Sequence, residues 1–232
     1  MVIDLIIPAR NEEDAIGYSV QGIDQNLIRE VIVVDNGSTD ATALKATESG
    51  ATVLTESRPG YGYACMRGIQ YCRQKEVQPD IIVFMDGDGS DDPNDLSDLV
   101  APLLQGNADM VIGSRLAGHA EDGSLTFPQI FGNRLACFLM RLFFNSSFTD
   151  LGPFRAIRFS RLLEMNLTEM KYGWTVEMQI KAARMSIKSV EVPVHYRNRW
   201  AGKSKVSGTV RGSVLAGYRI LAVVFRQGLW RK

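Results

Sequence analysis

The chain has 232 residues, enough for one large α/β domain with a full core, and its 26 basic residues balance 26 acidic ones, which argues against wholesale nucleic-acid binding. Cys65, Cys72 and Cys137 are odd in number, share no metal-ligand spacing and follow no secretory signal, so they read as small apolar fillers in a reducing cytoplasm. The longest apolar runs, such as Ile220 to Phe225, fall far short of the roughly 20 residues a spanning helix needs, so the chain is not expected to cross a bilayer by itself.

Val2 to Ile7 predicts a first strand, ended by Pro8-Ala9-Arg10-Asn11-Glu12-Glu13, whose acids suit the first turn of an amphipathic helix. Val31 to Val34 predicts a second buried strand that runs into Asp35-Asn36-Gly37-Ser38-Thr39-Asp40, where Ser38, Thr39 or Asp40 caps a helix over 41–48. Ala51 to Leu54 is a third short strand, and Gly60-Tyr61-Gly62-Tyr63-Ala64 opens a helix reaching Gln74.

The apolar run Ile81 to Met85 lies between Pro79 and a Gly/Asp cluster, the pattern of a buried parallel strand. It delivers Asp86 and Asp88 to the rim of the sheet, where ligands of open α/β sheets bind. Two carboxylates one residue apart repel each other unless a cation sits between them. Hard oxygen ligands of this kind suit Mg²⁺ or Mn²⁺, which can in turn hold a diphosphate. The competing reading is an Asp-rich surface turn.

Pro93 starts a helix to Leu104, and Asp109 to Ile112 is a fifth strand ending in Gly113-Ser114-Arg115. Strands alternating with helices imply right-handed crossovers and a mostly parallel sheet, with the ends after Ile7, Val34 and Met85 on one rim. A dinucleotide-binding Rossmann site fits poorly, because no glycines follow the first strand and Cys65 stands where the fingerprint wants Gly.

Beyond residue 115 come a loop through His119 and Asp122 and an apolar helix, Pro128 to Phe144, carrying Arg134 and Arg141 two turns apart. Thr149-Asp150-Leu151-Gly152-Pro153-Phe154-Arg155, an extended stretch, a helix from Trp174 to Met185 and a strand from Ile187 to His195 follow. Arg197 to Lys205 reads as a mobile basic loop before an apolar, basic helix from Thr209. Every charged residue from Val192 to Lys232 is Lys or Arg, whereas those from Asp86 to Asp98 are acidic: one end suits anions and the other a cation.

Ile7-Pro8-Ala9-Arg10-Asn11-Glu12, Val34-Asp35-Asn36-Gly37-Ser38-Thr39-Asp40, Met85-Asp86-Gly87-Asp88, Gly113-Ser114-Arg115 and Asp150-Leu151-Gly152-Pro153-Phe154-Arg155, in that order, resemble family 2 glycosyltransferases of the GT-A fold. The nearest subgroup is the dolichyl- and polyprenyl-phosphate sugar synthases, and the resemblance extends to the Gly202-x-Ser204-Lys205 loop. It implies one GT-A domain over 1–232, an α/β fold with a mostly parallel central sheet flanked by helices. Within it, 1–115 is the nucleotide-sugar-binding half, 116–208 the acceptor-binding half and 209–232 a C-terminal amphipathic helix.

The resemblance also implies an inverting transferase that moves a hexose from a nucleotide-sugar of the UDP-glucose or GDP-mannose type to an acceptor. Carried over by position, Pro8, Ala9, Asn11 and Glu12 frame the nucleotide, Asp35 accepts a hydrogen bond from the base, and Asp86 approaches the ribose and metal. Gly87 lets the backbone come close, and Asp88 ligates the ion that eases departure of the nucleoside diphosphate. Gly60 and Gly62 either allow close packing beneath the nucleotide or serve as helix-start glycines.

Arg115, Arg134, Arg199, Lys203 and Lys205 are the cations expected around acceptor phosphate or donor diphosphate, and the loop Gly202-Lys203-Ser204-Lys205 is expected to fold over bound substrate. Asp150, the second catalytic candidate beside Asp88, is a base if the acceptor is a hydroxyl and an orienting group if it is an already ionised phosphate. The competing reading is a structural carboxylate holding Arg155 or a backbone N–H. His195 reads as an ordinary strand residue and His119 as a loop residue, rather than as metal ligands.

The transmembrane helices of the best-known family members do not follow in this sequence. A lipid acceptor therefore rests on two apolar, basic helices, Phe131 to Phe144 and Val214 to Trp230, which suit an anionic membrane surface or, equally, a core or dimer interface. The favoured reading is transfer to polyprenyl phosphate by a cytoplasmic enzyme peripheral to the membrane, with no nucleic-acid partner. Its alternatives are a soluble small-molecule or glycan acceptor and, further off, a sugar nucleotidyltransferase. Base, sugar and oligomeric state stay open.

Overall fold

Apolar side chains alternate along the strands and so build a sheet that is buried on both faces. The structure is a computed structural model that describes residues 1–201 and 210–229. Strands β1 (Ile3–Ala9), β2 (Glu30–Asp35), β3 (Thr52–Thr55), β4 (Ile81–Phe84), β5 (Met110–Ala120), β6 (Arg155–Arg158) and β7 (Ser189–Tyr196) form one sheet in the order β3-β2-β1-β4-β6-β5-β7. The helices are α1 (Ile16–Gln21), α2 (Thr42–Glu48), α3 (Tyr61–Gln74), α4 (Leu96–Leu104, after a 3-10 turn Pro93–Asp95), α5 (Phe127–Phe144), α6 (Phe159–Glu164), α7 (Trp174–Arg184) and α8 (Val210–Leu229).

Leu5, Ile7, Val33 and Val83 face one side, with Ile16 and Val20 of α1 and Leu99 and Leu103 of α4. Ile6, Ile32, Val34, Ile82 and Phe84 face the other, under Cys65, Ile69 and Cys72 of α3 and Trp174 and Met178 of α7. Trp174 is fully buried and meets Phe84 edge-on at 4.8 Å. A third cluster lies outside α7, where its Val176 and Ile180 pack on Ala136 and Met140 of α5 and Val223 and Val224 of α8. All three cysteines are buried and unpaired, as expected of apolar fillers.

The sheet is mostly parallel, with one exception that sets the site. Strand β6 lies antiparallel between β4 and β5, pairing Ile82 with Ile157 and Val111 with Ala156. Its N-terminal end therefore comes to the rim where β1, β2, β4 and β5 end, and the Asp150 loop that precedes it arrives there too. Two elements differ from the sequence expectation. Strand β5 runs on to Ala120, because a bulge between Ser114 and His119 restores pairing of His119 with His195 on β7, so His119 belongs to a strand. The stretch after β6 includes helix α6, whose Phe159 and Leu162 are buried.

The glycines before and within α3 make a packing contact. A Cβ on Gly62 would stand 2.4 Å from the carbonyl oxygen of Glu169, and one on Gly60 2.4 Å from that of Met170. On the Asp150 loop, a Cβ on Gly152 would stand 2.3 Å from the carbonyl oxygen of Gly113, so only glycine lets this loop lie against the end of β5. Gly152→Ala is expected to cost about 1–3 kcal/mol through overpacking, lowering Tm by roughly 2–10 °C in calorimetry. An unchanged Tm would count against this contact.

Candidate active site

The loops after β1 and β2 are joined by side chains. Asn11, in the left-handed region at φ 51°, donates its N–H to Ser38 Oγ and accepts from Thr39 N–H at 2.8 Å. The N–H of Glu12 donates to Thr42 Oγ1 at 2.8 Å. Pro8 and Ala9 end β1 beside Asp35, whose carboxylate is buried and accepts from the N–H of Ser38 at 3.1 Å. Asn36, which sequence reasoning passed over, fastens the next loop: its Nδ2 donates to the carbonyls of Glu56 and Arg58, and its Oδ1 accepts from the N–H of Gly60.

Strand β4 ends in the acidic cluster. Asp91 joins Asp86 and Asp88 there, its Oδ2 accepting from the N–H of Asp86 at 3.0 Å. Burial, then the charge of Asp88, pushes the Asp86 carboxyl up to about 7, and burial with the charge of Asp86 pushes Asp91 up as well. Oδ1 of Asp91 is buried without a hydrogen-bond partner among the described residues. Asp88 accepts from the N–H of Ser90 at 3.0 Å. Gly87 faces the core, where a Cβ would stand 3.1 Å from Ile7 and Ile16, so its missing side chain serves packing below the loop.

The segment after β7 lies across this cluster. Arg199 donates to Oδ2 of Asp88 and, at 2.7 Å, to both oxygens of Glu12. Arg197 donates to the hydroxyl of Tyr18 and to Asp92, and Trp200 stacks on Tyr18 at 4.6 Å. The N–H of Trp200 donates to the carbonyl of Asp88 at 3.1 Å. Arg199 thus already engages two of the candidate carboxylates. No three His, Cys, Asp or Glu side chains among the described residues are arranged to hold a metal. The chemistry of the donors still suits a hard divalent ion: Asp86 and Asp88 are oxygen ligands, one Asp91 oxygen beside them has no hydrogen-bond partner among the described residues, and Asp88 now takes its positive charge from Arg199.

The second catalytic candidate is engaged elsewhere than expected. Asp150 is fully buried and is gripped by Arg115, whose backbone N–H, Nε and Nη2 donate at 2.7, 3.0 and 2.6 Å. Burial alone would raise its pKa, but the Arg115 guanidinium and the hydrogen bonds hold the carboxyl below its ordinary value. Arg155 is not its partner; its guanidinium donates to the carbonyls of Leu151, Gly152 and Thr175. Arg115, expected near phosphate, therefore carries Asp150 on one edge.

Three residues that the motifs did not single out fix this loop. Glu191 of β7 accepts from the N–H groups of Thr149 and Asp150 and from the Thr149 hydroxyl, at 2.8, 3.0 and 2.6 Å. Asn133 of α5 donates to the carbonyl of Thr149 and accepts from the N–H of Leu151, and Gln179 of α7 donates to the carbonyl of Asp150. Only the charge of Glu191 within a half-buried strand offered a signal.

Arg134 lies exposed on α5 and forms no ion pair among the described residues. Lys203, Ser204 and Lys205 lie outside the described residues. His195 is exposed, its Nδ1 2.9 Å from Asp95, in keeping with an ordinary strand position. Glu191→Ala is expected to cost about 1–3 kcal/mol by leaving two amides unpaired, and to speed hydrogen exchange at Thr149 and Asp150. Unchanged exchange there would show that Glu191 does not hold the loop.

Comparison with known proteins agrees with this architecture. Residues 4–165 match the model of glycosyl transferase family 2. An uncharacterized glycosyltransferase of Mycobacterium tuberculosis is 35% identical over 218 residues, covering 92% of this chain and 94% of the relative. Undecaprenyl-phosphate mannosyltransferase of Micrococcus luteus is 28% identical over 221 residues, covering 90% and 89%. The crystal structure of glucosyl-3-phosphoglycerate synthase from Mycobacterium tuberculosis with Mn²⁺, uridine diphosphate and phosphoglyceric acid superposes with a TM-score of 0.77 at 23% identity, over 97% of this chain and 78% of that one. The mostly parallel sheet flanked by helices is the GT-A fold, and the chain belongs to glycosyl transferase family 2.

Proposed function

We propose that this chain is an inverting, metal-dependent glycosyltransferase that moves a hexose from a nucleoside-diphosphate sugar onto a phosphate monoester, and that the acceptor is polyprenyl phosphate at the cytoplasmic membrane face. The observation that carries the acceptor class is the grip of Arg115 on Asp150. A carboxylate held ionised by a guanidinium is a poor base, and a hydroxyl acceptor needs a competent one. A phosphate monoester is already anionic near neutral pH and needs none. The relative from Micrococcus luteus, whose name gives a lipid phosphate as acceptor, supports the same reading.

In this mechanism the loops after β1 and β2 hold the nucleotide, with Pro8, Ala9, Asn11 and Glu12 along one side and Asp35 facing the base. Asp86 and Asp88 hold Mg²⁺ or Mn²⁺, which when bound offsets the charge of the departing diphosphate. Asp150 orients Arg115, leaving Nη1, which donates to no carboxylate among the described residues, to meet the acceptor phosphate. A phosphate oxygen attacks the anomeric carbon from the face opposite the leaving diphosphate, the bond to that diphosphate breaks, and the configuration inverts. Arg199 has to leave Asp88 for the donor to bind, and its guanidinium then turns to the diphosphate, joined by Lys203, Ser204 and Lys205.

Thermal-shift titration with nucleotide-sugars, with and without Mn²⁺, tests the donor side. Saturating donor at about 100 times Kd should stabilise the protein by about 2.7 kcal/mol. Asp88→Asn should abolish this gain, whereas Asp150→Asn should keep it while transfer falls by roughly 10²–10³-fold. Arg199→Gln should bind Mn²⁺ roughly tenfold more tightly without nucleotide, read by calorimetry.

The pH profile tests the acceptor. Transfer to polyprenyl phosphate should rise through about pH 6, the second ionisation of the phosphate, and then level off, and polyprenol should not be a substrate. Transfer to a hydroxyl acceptor would overturn the reading.

A further inference from the structure

Helix α5 presents two opposite faces. Its inner face carries Asn133, bonded to the Asp150 loop, with Ala136 and Met140 in the core. Its outer face leaves Phe127, Phe131, Phe138 and Leu142 exposed by 79, 59, 61 and 66%. At 3.6 residues per turn, these four side chains and those of Arg134 and Arg141 fall within an arc of about 100°. Large apolar side chains left in water as a continuous stripe mark an interaction surface rather than the scattered exposure of an ordinary exterior.

The chemistry of the stripe selects its partner. Both arginines stand among the aromatic rings, and neither forms an ion pair among the described residues. No Asp or Glu occurs from Gly123 to Thr149, or anywhere in α8. That helix packs on the inner side of α5, where Phe225 meets Phe143 at 5.7 Å, and leaves Tyr218 exposed by 68%. A second copy of the chain would bring these cations against their own kind. A surface that is negative and apolar just beneath suits both the arginines and the rings, and that is the headgroup layer of an anionic bilayer. No helix among the described residues is long and apolar enough to cross a membrane, so such contact is peripheral.

We propose that the outer face of α5 is a docking surface for an anionic lipid bilayer. Its rings enter the headgroup layer and Arg134 and Arg141 meet lipid phosphates. The inference deepens the lipid-phosphate reading of the acceptor and rests on it for its biological use. Through Asn133, the docked helix is also the one that shapes the Asp150 loop, so the acceptor phosphate would be met at the depth of the headgroups.

Co-sedimentation with acceptor-free vesicles of phosphatidylcholine, alone or with phosphatidylglycerol, tests the surface. The whole protein should bind the anionic vesicles and release them at high salt. Arg134→Gln with Arg141→Gln should weaken binding about 30-fold, at about 1 kcal/mol per charge. Phe127→Ser with Phe131→Ser and Phe138→Ser should abolish it, while thermal shift by nucleotide stays intact as evidence of folding. Equal partitioning of wild type and variants, or none at all, would overturn the proposal, as would a stripe-dependent dimer in light scattering without vesicle binding. Vesicle binding without transfer to detergent-dispersed polyprenyl phosphate would instead sink the acceptor reading and leave the surface standing.

Discussion

Negative charge crowded onto the rim of the sheet has to be offset, and the chain offsets it with arginines borrowed from distant segments. Arg199 reaches Asp88 and Glu12, Arg197 reaches Asp92, and Arg115 reaches Asp150. Removing one member of a buried pair typically costs about 3–5 kcal/mol, because the other is left charged and unsolvated. These pairs therefore pin the segment after β7 to the acidic loop and the Asp150 loop to the end of β5. The offset is incomplete: Asp86 and Asp91 are left short of positive charge, and their carboxyls are pushed up. An electrostatic deficit of that kind is what a divalent ion would remove.

The antiparallel strand gives this arrangement its shape. Had β6 run parallel to its neighbours, the residues before it would have emerged at the opposite edge of the sheet. Running against β4 and β5, it brings the Asp150 loop to the end of the strands that carry Asp86 and Arg115. The loop is then held from three directions, by Glu191 on β7, Asn133 on α5 and Gln179 on α7, with Arg155 binding its carbonyls from beneath. Position is thus fixed by side chains from three separate elements, the usual condition for a preorganised site.

The sequence made local features legible and left pairings hidden. Buried strands before Pro8, Asp35 and Asp86 were readable because apolar runs stop abruptly in polar turns, and the strand ends do meet on one rim. The placement of β6 was not, since four residues, Arg-Ala-Ile-Arg, carry no sign of direction. Nor was the choice of Arg115 over Arg155 as partner of Asp150: Arg155 is much the nearer in sequence, and only the fold brings Arg115 alongside the carboxylate and buries Arg155 among carbonyls. Glu191 and Gln179 escaped notice because a single polar residue in an amphipathic element looks like a solvated face until its neighbours are known.

The Asp150–Arg115 pair and the acceptor class constrain each other. A guanidinium that lowers the pKa of a carboxylate weakens it as a proton acceptor in the same measure. A site that needed a strong base here would be working against its own electrostatics. A site that needs to fix an anion gains from the pair, because the carboxylate occupies two donors of the guanidinium and aims the remaining edge. An acceptor that brings its own negative charge relieves the protein of making one, and a phosphate tethered in a bilayer would arrive beside a helix whose exposed rings and arginines suit that bilayer's surface.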